Sequence, residues 1–204
     1  MVPLDALDDA NVLLRAPAFC PGEARACADL LSAVDPERTA LLGVSPTRSP
    51  DQWLSAVADR LPALPGTVWL VDVGEGRRTA AAEGPVRRRR GDVDVTVATV
   101  PNPGNLTDLG VELTRGLDAV TGAEGPTDAV MCFESAGTLY HHADDRTVYQ
   151  FFHELTERVA AADVRAHYHV TRGAMDERVE RHLLLLFDTV VTVAEDGGVS
   201  VDRR

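Results

Sequence analysis

The residues from Pro17 to Ala24 read PAFCPGEA and form a short loop between an apolar segment and a predicted helix. The apolar segment before the loop, Asn11 to Ala16, is predicted to be a strand. After the loop, Glu23 to Ala33 place apolar side chains on one helical face, which predicts a helix. The chain therefore opens with a strand, a loop and a helix.

A working nucleotide-binding P-loop lies between such a strand and helix and has the pattern G-x-x-x-x-G-K-[ST]. Its backbone N–H groups wrap the phosphates, its lysine neutralises them and its hydroxyl holds magnesium. On that spacing Pro17 replaces the first glycine, Gly22 keeps the second, Glu23 replaces the lysine and Ala24 replaces the hydroxyl residue. Glu23 also fits a simpler role, because an acid in the first turn of a helix interacts favourably with the helix dipole. We expect no appreciable ATP hydrolysis, no catalytic residue and no bound cofactor at this loop.

Strand-like and helix-like segments alternate from the loop to the end of the chain. The further strands are predicted at 40–44, 67–73, 93–100, 128–133, 164–170, 189–194 and 198–201, and the further helices at 49–61, 105–120, 146–162 and 176–187. Asn105 or Thr107 is predicted to cap the second of these helices, and Asp144 or Asp145 the third. The alternation predicts one α/β domain over residues 1–204, with three layers (α/β/α) and a mostly parallel central sheet.

The predicted strand 128–133 continues into Glu134 and Ser135, and residues 128–135 together read DAVMCFES. This segment resembles the second acidic motif of the RecA-like and KaiC-like ATPases, in which the acid orients magnesium or water. Residues 138–170, followed by a helix and by LFDTVVTV at 186–193, are similar to the carboxyl half of the same superfamily. The resemblance covers roughly 11–193 and implies a RecA-like P-loop NTPase topology. In particular, the chain resembles uncharacterised haloarchaeal proteins whose nucleotide motifs have decayed.

The resemblance, taken with the altered loop, implies a non-catalytic module that acts in signalling or regulation through a protein partner or through self-association. The alternative is an ATP-binding sensor or unconventional ATPase in which Glu134 holds magnesium. A third reading, favoured over the magnesium role, is that Glu134 ends a central strand and bonds to a neighbouring loop. The vestigial nucleotide site is predicted to contain Pro17, Gly22, Glu23, Ala24, Glu134 and Ser135.

Composition narrows the possible partners. The chain has 20 arginines and no lysine against 32 Asp and Glu, which gives a net charge of -12. This balance argues against nucleic-acid binding and is similar to that of proteins from extreme halophiles, so low salt is expected to destabilise the fold. The sequence shows neither a signal peptide nor a run of about 18 apolar residues, which predicts a cytoplasmic protein without a membrane span.

Cysteines and histidines are the candidate metal ligands. Cys20, Cys27 and Cys132 lack C-x-x-C spacing and are predicted to be reduced thiols with no assigned chemistry. His141 and His142 stand near Asp144 and Asp145 and are expected in a solvated turn. His167 and His169 would project from one face of a strand, but we expect an outer strand that exposes them. No metal site is therefore predicted.

An arginine-rich segment and three candidate nucleophiles are further possible functional groups. The six arginines between Arg77 and Arg90 could bind an acidic partner, but an exposed connection that pairs with the protein's own acids is favoured. Ser135, Cys20 and Cys132 are the candidate nucleophiles. No G-x-S-x-G pattern surrounds Ser135, so a hydrolase has little support.

Overall fold

A computed structural model describes residues 4–32, 35–74, 84–122 and 128–204. The strands are β1 (Asn11–Ala16), β2 (Thr39–Ser45), β3 (Thr67–Val73), β4 (Val86–Arg90), β5 (Val93–Val100), β6 (Asp128–Phe133), β7 (Arg165–Thr171), β8 (Thr189–Val193) and β9 (Val199–Arg203). The helices are α1 (Pro21–Ser32), α2 (Pro50–Ala58), α3 (Leu106–Val120), α4 (Asp145–Ala161) and α5 (Glu177–Leu184). None of these helices is long and apolar enough to cross a bilayer.

The nine strands that the structure describes belong to one sheet, in the order β4-β5-β3-β2-β6-β7-β1-β8-β9. The pairs β4–β5 and β8–β9 are antiparallel, and the strands between them run parallel. Helices α1 and α2 pack on one face of the sheet and α3, α4 and α5 on the other. The predicted α/β class, with three layers and a mostly parallel sheet, is confirmed.

The central strands are apolar because helices cover them on both sides. In β1 the neighbouring residues Leu13 and Leu14 are fully buried on opposite faces, Leu13 on the α4 side and Leu14 on the α1 side. In β6 every residue after Asp128 is buried. This two-sided burial explains why the sequence shows short continuous apolar runs instead of an alternation.

Side-chain caps fix the starts of four of the described helices, and at α5 the cap is Asp176. Ser49 and Gln52 form a reciprocal capping box at α2, with Pro50 at the first helical position. Asn105 caps α3, and Asp144 caps α4 by accepting the Thr147 N–H at 3.0 Å. The structure thus selects Asn105 over Thr107 and Asp144 over Asp145.

The structure corrects two expectations about strands. Residues 86–90, expected in an exposed connection, form the edge strand β4, which reverses at Gly91 (φ +61°) and pairs with β5. Arginines on an exposed edge also discourage pairing with another chain. The strand with the two histidines, β7, lies between β6 and β1 instead of at the outside of the sheet. His167 and His169 are consequently buried, with only 3 % and 6 % of their surfaces exposed.

Candidate functional site

The loop between β1 and α1 is closed by its own backbone. The Cys20 N–H donates to the Pro17 carbonyl at 3.3 Å, and the Glu23 N–H donates to the Cys20 carbonyl at 3.1 Å. Helix α1 begins at Pro21, which has no N–H to offer. Two amide donors are thus used within the loop and a third is missing, so the phosphate-binding cradle of a P-loop is not formed by these groups.

Gly22, which keeps the second glycine of the P-loop pattern, has a packing role in this fold. A Cβ atom at this position would lie 2.8 Å from Cγ1 of Val193 and 3.4 Å from Cα of Gly197. Val193 is fully buried at the end of β8, so it has little room to move. The glycine therefore lets the first turn of α1 approach β8 closely, whether or not a phosphate is bound.

Glu23, at the position of the P-loop lysine, directs its carboxylate toward strand β7. Its Oε1 lies 2.7 Å from Nδ1 of His169 in β7. Burial alone would lower the pKa of His169, but the negative charges of Cys27 and Glu23 outweigh it and raise the pKa to about 9. Ala24 is half-buried and has no hydroxyl to offer a magnesium ion.

Glu134 is held by the segment that follows β2. Its Oε2 accepts hydrogen bonds from the Ser45 hydroxyl at 2.8 Å and the Thr47 hydroxyl at 3.4 Å. Its Oε1 pairs with the guanidinium of Arg48. Glu134 thus ends a central strand and binds a neighbouring loop, which is the favoured reading of the sequence. Ser135 adopts the left-handed conformation (φ 53°) and begins a short 3-10 turn without a side-chain cap.

The two acids of the vestigial site lie on different strand units. Glu134 follows β6, whereas Glu23 lies in the helix that follows β1, and β7 separates these two strands. The two acids therefore stand apart, and each binds a different side chain: Glu23 binds His169, and Glu134 binds Arg48.

Beneath Glu23, four side chains that can ligate metals converge on the α1 face of the sheet. They are Cys27 from α1, Cys132 from β6, and His167 and His169 from β7, and we call them the Cys/His tetrad. Their ligand atoms all lie within 4.8 Å of one another, and all four residues are buried. Among the residues that the structure describes, this is the group with the spacing of a metal site.

Specific contacts link the members of the tetrad. Cys27 Sγ lies 3.4 Å from His167 Nε2, and Cys132 Sγ lies 3.6 Å from His169 Nε2. Arg60 donates to Cys27 Sγ at 3.6 Å.

The ionisation of the tetrad follows from burial and from the interactions among its four members. A hydrogen bond from Cys132, helped by the two histidines, holds the pKa of Cys27 well below its usual value despite burial. The same hydrogen bond, together with burial, raises the pKa of Cys132, and burial lowers the pKa of His167.

The other candidate ligands and nucleophiles do not form a second cluster among the described residues. His141 and His142 are exposed, as expected for a solvated turn, and Asp144 is used as the cap of α4. Cys20 lies apart from the tetrad, with its Sγ 3.7 Å from the carbonyl of Ala194.

The arginine-rich segment is only partly described. Arg88 and Arg89 pair with Asp51 at 2.9 Å and Asp94 at 3.4 Å, as expected for a segment that binds the protein's own acids. Arg77 and Arg78 lie outside the described residues.

Sequence comparison connects the chain to a family but not to an activity. Residues 10–193 match the model of a family described as a family of unknown function (DUF7504). No curated protein matches the chain by sequence.

Comparison of structures identifies the fold. A protein of Pyrococcus horikoshii OT3, the subject of structural project PH0250, matches with a TM-score of 0.57 and 10% identity, over 97% of this chain and 88% of that one. The flagellar accessory protein FlaH of Methanocaldococcus jannaschii matches with a TM-score of 0.54 and 11% identity, over 96% and 77% of the two chains. The fold is RecA-like, and at these identities the likeness shows the fold alone.

Proposed function

The chain belongs to the DUF7504 family of unknown function, and we propose from its site that it is a non-catalytic RecA/KaiC-like module. In this proposal it is a single-domain protein of halophilic, archaeal type that acts in signalling or regulation through protein contacts. The observation that carries the proposal is that Glu23 and Glu134 are each bound by a side chain of the same molecule, His169 and Arg48 respectively.

The first consequence concerns the phosphates of ATP. The chain has no lysine, and Glu23 occupies the place where a P-loop lysine would neutralise the outer phosphates. A triphosphate there would face a carboxylate, and the Cys20 and Glu23 N–H groups already donate to loop carbonyls. Phosphoryl transfer depends on positioning and charge stabilisation, so this loop supplies little of what the reaction needs.

The second consequence concerns magnesium. Glu134 would have to exchange the guanidinium of Arg48 for a metal ion that dehydrates reluctantly and requires near-octahedral geometry. The alternative function, an ATP-binding sensor or unconventional ATPase, has one supporting observation. The hydroxyl groups of Ser45 and Thr47 lie beside the Glu134 carboxylate at the strand ends, and such oxygens can ligate magnesium.

Protein contact is supported by Phe19 at the tip of the loop. Its side chain is fully exposed (102 %) and its backbone is left-handed, with φ 57°. A non-glycine residue in this conformation is strained, and such strain clusters at functional sites. Phenylalanine, like tyrosine and tryptophan, is also enriched at the cores of protein interfaces. Phe19 is therefore the group that we assign to the contact with a partner or with a second copy.

The acidic surface restricts how such a contact forms. At 1 M salt the Debye length is only about 3 Å, so long-range attraction between charged surfaces is largely screened. Burial of apolar surface is not weakened in this way and is strengthened by some salts. In a halophilic setting an exposed phenylalanine is thus better suited than the arginines of β4 to hold a partner.

The test is a calorimetric titration of ATP with magnesium into the protein in molar KCl, together with an assay of phosphate release. We expect no saturable binding and no turnover from the wild-type chain, because the loop lacks its cation and Arg48 holds Glu134. Saturable micromolar binding, or turnover that Glu134→Gln abolishes, would overturn the proposal.

Two arginine variants sharpen the experiment. Arg48→Ala frees the Glu134 carboxylate, whereas Arg181→Ala removes an exposed arginine of α5 and serves as the matched control. Without its lysine and phosphate cradle the loop is expected to bind no ATP in either variant. If Arg48→Ala alone gains magnesium-dependent ATP binding, the loop is competent and the site is an ATP site that Arg48 gates, which contradicts the proposal.

A further inference from the structure

We infer that the Cys/His tetrad binds one divalent transition-metal ion, and that zinc is the metal it fits best. The inference is separate from the proposed function, because it concerns the covered α1 face of the sheet instead of the loop at its edge. It also revises the expectation from sequence, which assigned no chemistry to Cys27 and Cys132 and no metal to His167 and His169.

Distances within the tetrad match those of a tetrahedral zinc site. Zinc binds cysteine sulfur at about 2.3 Å and histidine nitrogen at about 2.0–2.1 Å, so a sulfur and a nitrogen on one tetrahedron lie about 3.5 Å apart. The two sulfur–nitrogen pairs of the tetrad are separated by 3.4 and 3.6 Å. All four ligand atoms lie within 4.8 Å of one another, whereas the longest sulfur–sulfur edge of such a tetrahedron is about 3.8 Å, so a small contraction of the cluster would bring all four onto one ion.

The orientation of His169 also matches a metal ligand. Its Nδ1 lies 2.7 Å from the Glu23 carboxylate, so Nδ1–H can donate to that carboxylate, and Nε2, which faces Cys132, is the ring nitrogen that can bind a metal in exchange for its proton. Histidines that ligate metals commonly donate their other ring nitrogen to a carboxylate in this way, and that contact raises their basicity. Glu23, the acid at the lysine position of the lost P-loop, would thus be a positioning residue for the metal.

Charge and burial are consistent with a closed structural site. Two cysteine thiolates balance the charge of a divalent ion, so the buried cluster becomes neutral once it is bound. Sulfur and imidazole together select zinc over magnesium or calcium, which prefer oxygen ligands. Four protein ligands fill the coordination sphere of zinc, which leaves no open position for a substrate. Arg60 can keep its contact with the Cys27 sulfur when that sulfur is bound to the metal.

The ion would connect three parts of the fold. Cys27 lies in α1, Cys132 in β6 and the two histidines in β7, so one metal ties the first helix to the centre of the sheet. A ligand that binds only the folded state raises stability by mass action. The metal is therefore expected to protect the packing of α1 on the sheet, and we propose a structural role for it.

The test begins with the purified chain, stripped of metal by a chelator under reducing conditions in molar KCl. Titration with Zn²⁺ against a colorimetric competitor is expected to show one tight site per chain. Titration with Co²⁺ is expected to give the intense visible absorption of tetrahedral cobalt with thiolate ligands. X-ray absorption of the zinc-loaded chain should show two sulfur and two nitrogen ligands at about 2.3 Å and about 2.0–2.1 Å.

Variants assign the ligands. Cys132→Ser is expected to abolish the tetrahedral cobalt spectrum, whereas Cys20→Ser, a change of a cysteine outside the tetrad, should leave the spectrum and the zinc content unchanged. Because Cys132 is buried and its substitution can impair folding, Glu23→Gln gives a second measurement at a half-buried position. It should fold normally and lower zinc affinity by about 10- to 100-fold.

Three results would overturn the inference. The first is a stripped, reduced and folded chain that binds neither Zn²⁺ nor Co²⁺ in stoichiometric amount. The second is a bound metal whose cobalt spectrum survives Cys132→Ser or is lost in Cys20→Ser. The third is a Cys27–Cys132 disulfide in the chain purified without an added oxidant, which would show that the two cysteines form a redox pair.

Discussion

The turn at residues 141–145 and the middle of β7 each carry two histidines, but their surroundings differ. In the turn, His141 and His142 are exposed to solvent, and the nearby Asp144 caps α4. In β7, His167 and His169 are buried on the face covered by α1, and each contacts a cysteine. The same residue type thus has a solvated setting in one segment and converges with metal-ligating groups in the other.

The two pairs of histidines differ in their need for partners because one pair is buried and the other is exposed. An exposed imidazole is solvated by water and needs no partner from the protein. A buried one has lost that water, and its polar atoms cost free energy unless other groups satisfy them. Four polar or ionisable side chains gathered in an apolar interior therefore require a specific pairing. For the tetrad we propose that a metal ion supplies it.

The largest expected effect is the loss of stability when a buried histidine of β7 is replaced, compared with the same replacement in the exposed turn. His167→Ala deletes a buried ring and one proposed ligand, so we expect the free energy of unfolding to fall by about 3 kcal/mol in the metal-loaded chain. His142→Ala removes an exposed ring and should change it by no more than about 0.5 kcal/mol. Thermal or denaturant unfolding in molar KCl measures both. Equal losses from the two variants would contradict the distinction between the regions.

A smaller effect is expected where α1 approaches the sheet. Gly22→Ala places a Cβ 2.8 Å from Val193, a stiff β-branched side chain in the core, so we expect a loss of about 1–3 kcal/mol. Cys27 lies further along the same helix, so a shift of α1 should also weaken Co²⁺ binding.

The matched control for this substitution is Gly110→Ala in the middle of α3, where a Cβ meets nothing within 4 Å. Alanine there should raise stability by about 0.4–1 kcal/mol, because it reduces the freedom of the unfolded chain. A Gly22→Ala chain as stable as Gly110→Ala would show that the close contact with β8 is not needed.

Much of the fold could be predicted from the sequence because its central strands are buried on both faces. The bounds of β1, β3, β5 and β6 match the prediction to the residue, since β1, β3 and β6 are short, mostly apolar runs, β5 alternates apolar and polar residues, and each has polar or Gly/Pro-rich ends. Strand β4 was missed because its arginines resemble a solvated connection. An edge strand keeps such side chains in water and so shows no hydrophobic signal.

The site was predicted less completely, for a different physical reason. The place of Glu134 at a strand end follows from local sequence, but its pairing with Arg48 depends on β2 lying beside β6. The tetrad requires the β6–β7 neighbourhood, where Cys132 pairs in register with His167, and also the packing of α1 above it. The alternation of His167 and His169 in one strand was the available signal. The sequence alone does not show that cysteines lie beside these histidines, because that depends on the order of the strands in the sheet.

The smallest expected effect is at Asp144, the capping acid of the exposed turn. The hydroxyl and N–H of Thr147 bind its carboxylate and lower its pKa below the ordinary value of 3.8. A folded-state pKa below the unfolded one contributes stability above the unfolded value, and this contribution is lost as pH falls through the folded value. Asp144→Asn keeps an oxygen that can cap α4 but cannot ionise. The variant should therefore be slightly less stable than the wild type near neutral pH, and the two should converge in acid.

Melting temperatures of both chains, measured across the acidic range at fixed molar KCl, provide the comparison. The difference is expected to be small because the carboxylate is exposed and salt screens its interaction with the helix dipole. A difference in melting temperature that persists below the folded-state pKa of Asp144 would show that the substitution destabilises the chain by changing the geometry of the cap and not by removing its charge. In that case the turn, like the tetrad, would depend on specific contacts, and the contrast between solvated and converging polar groups would not hold.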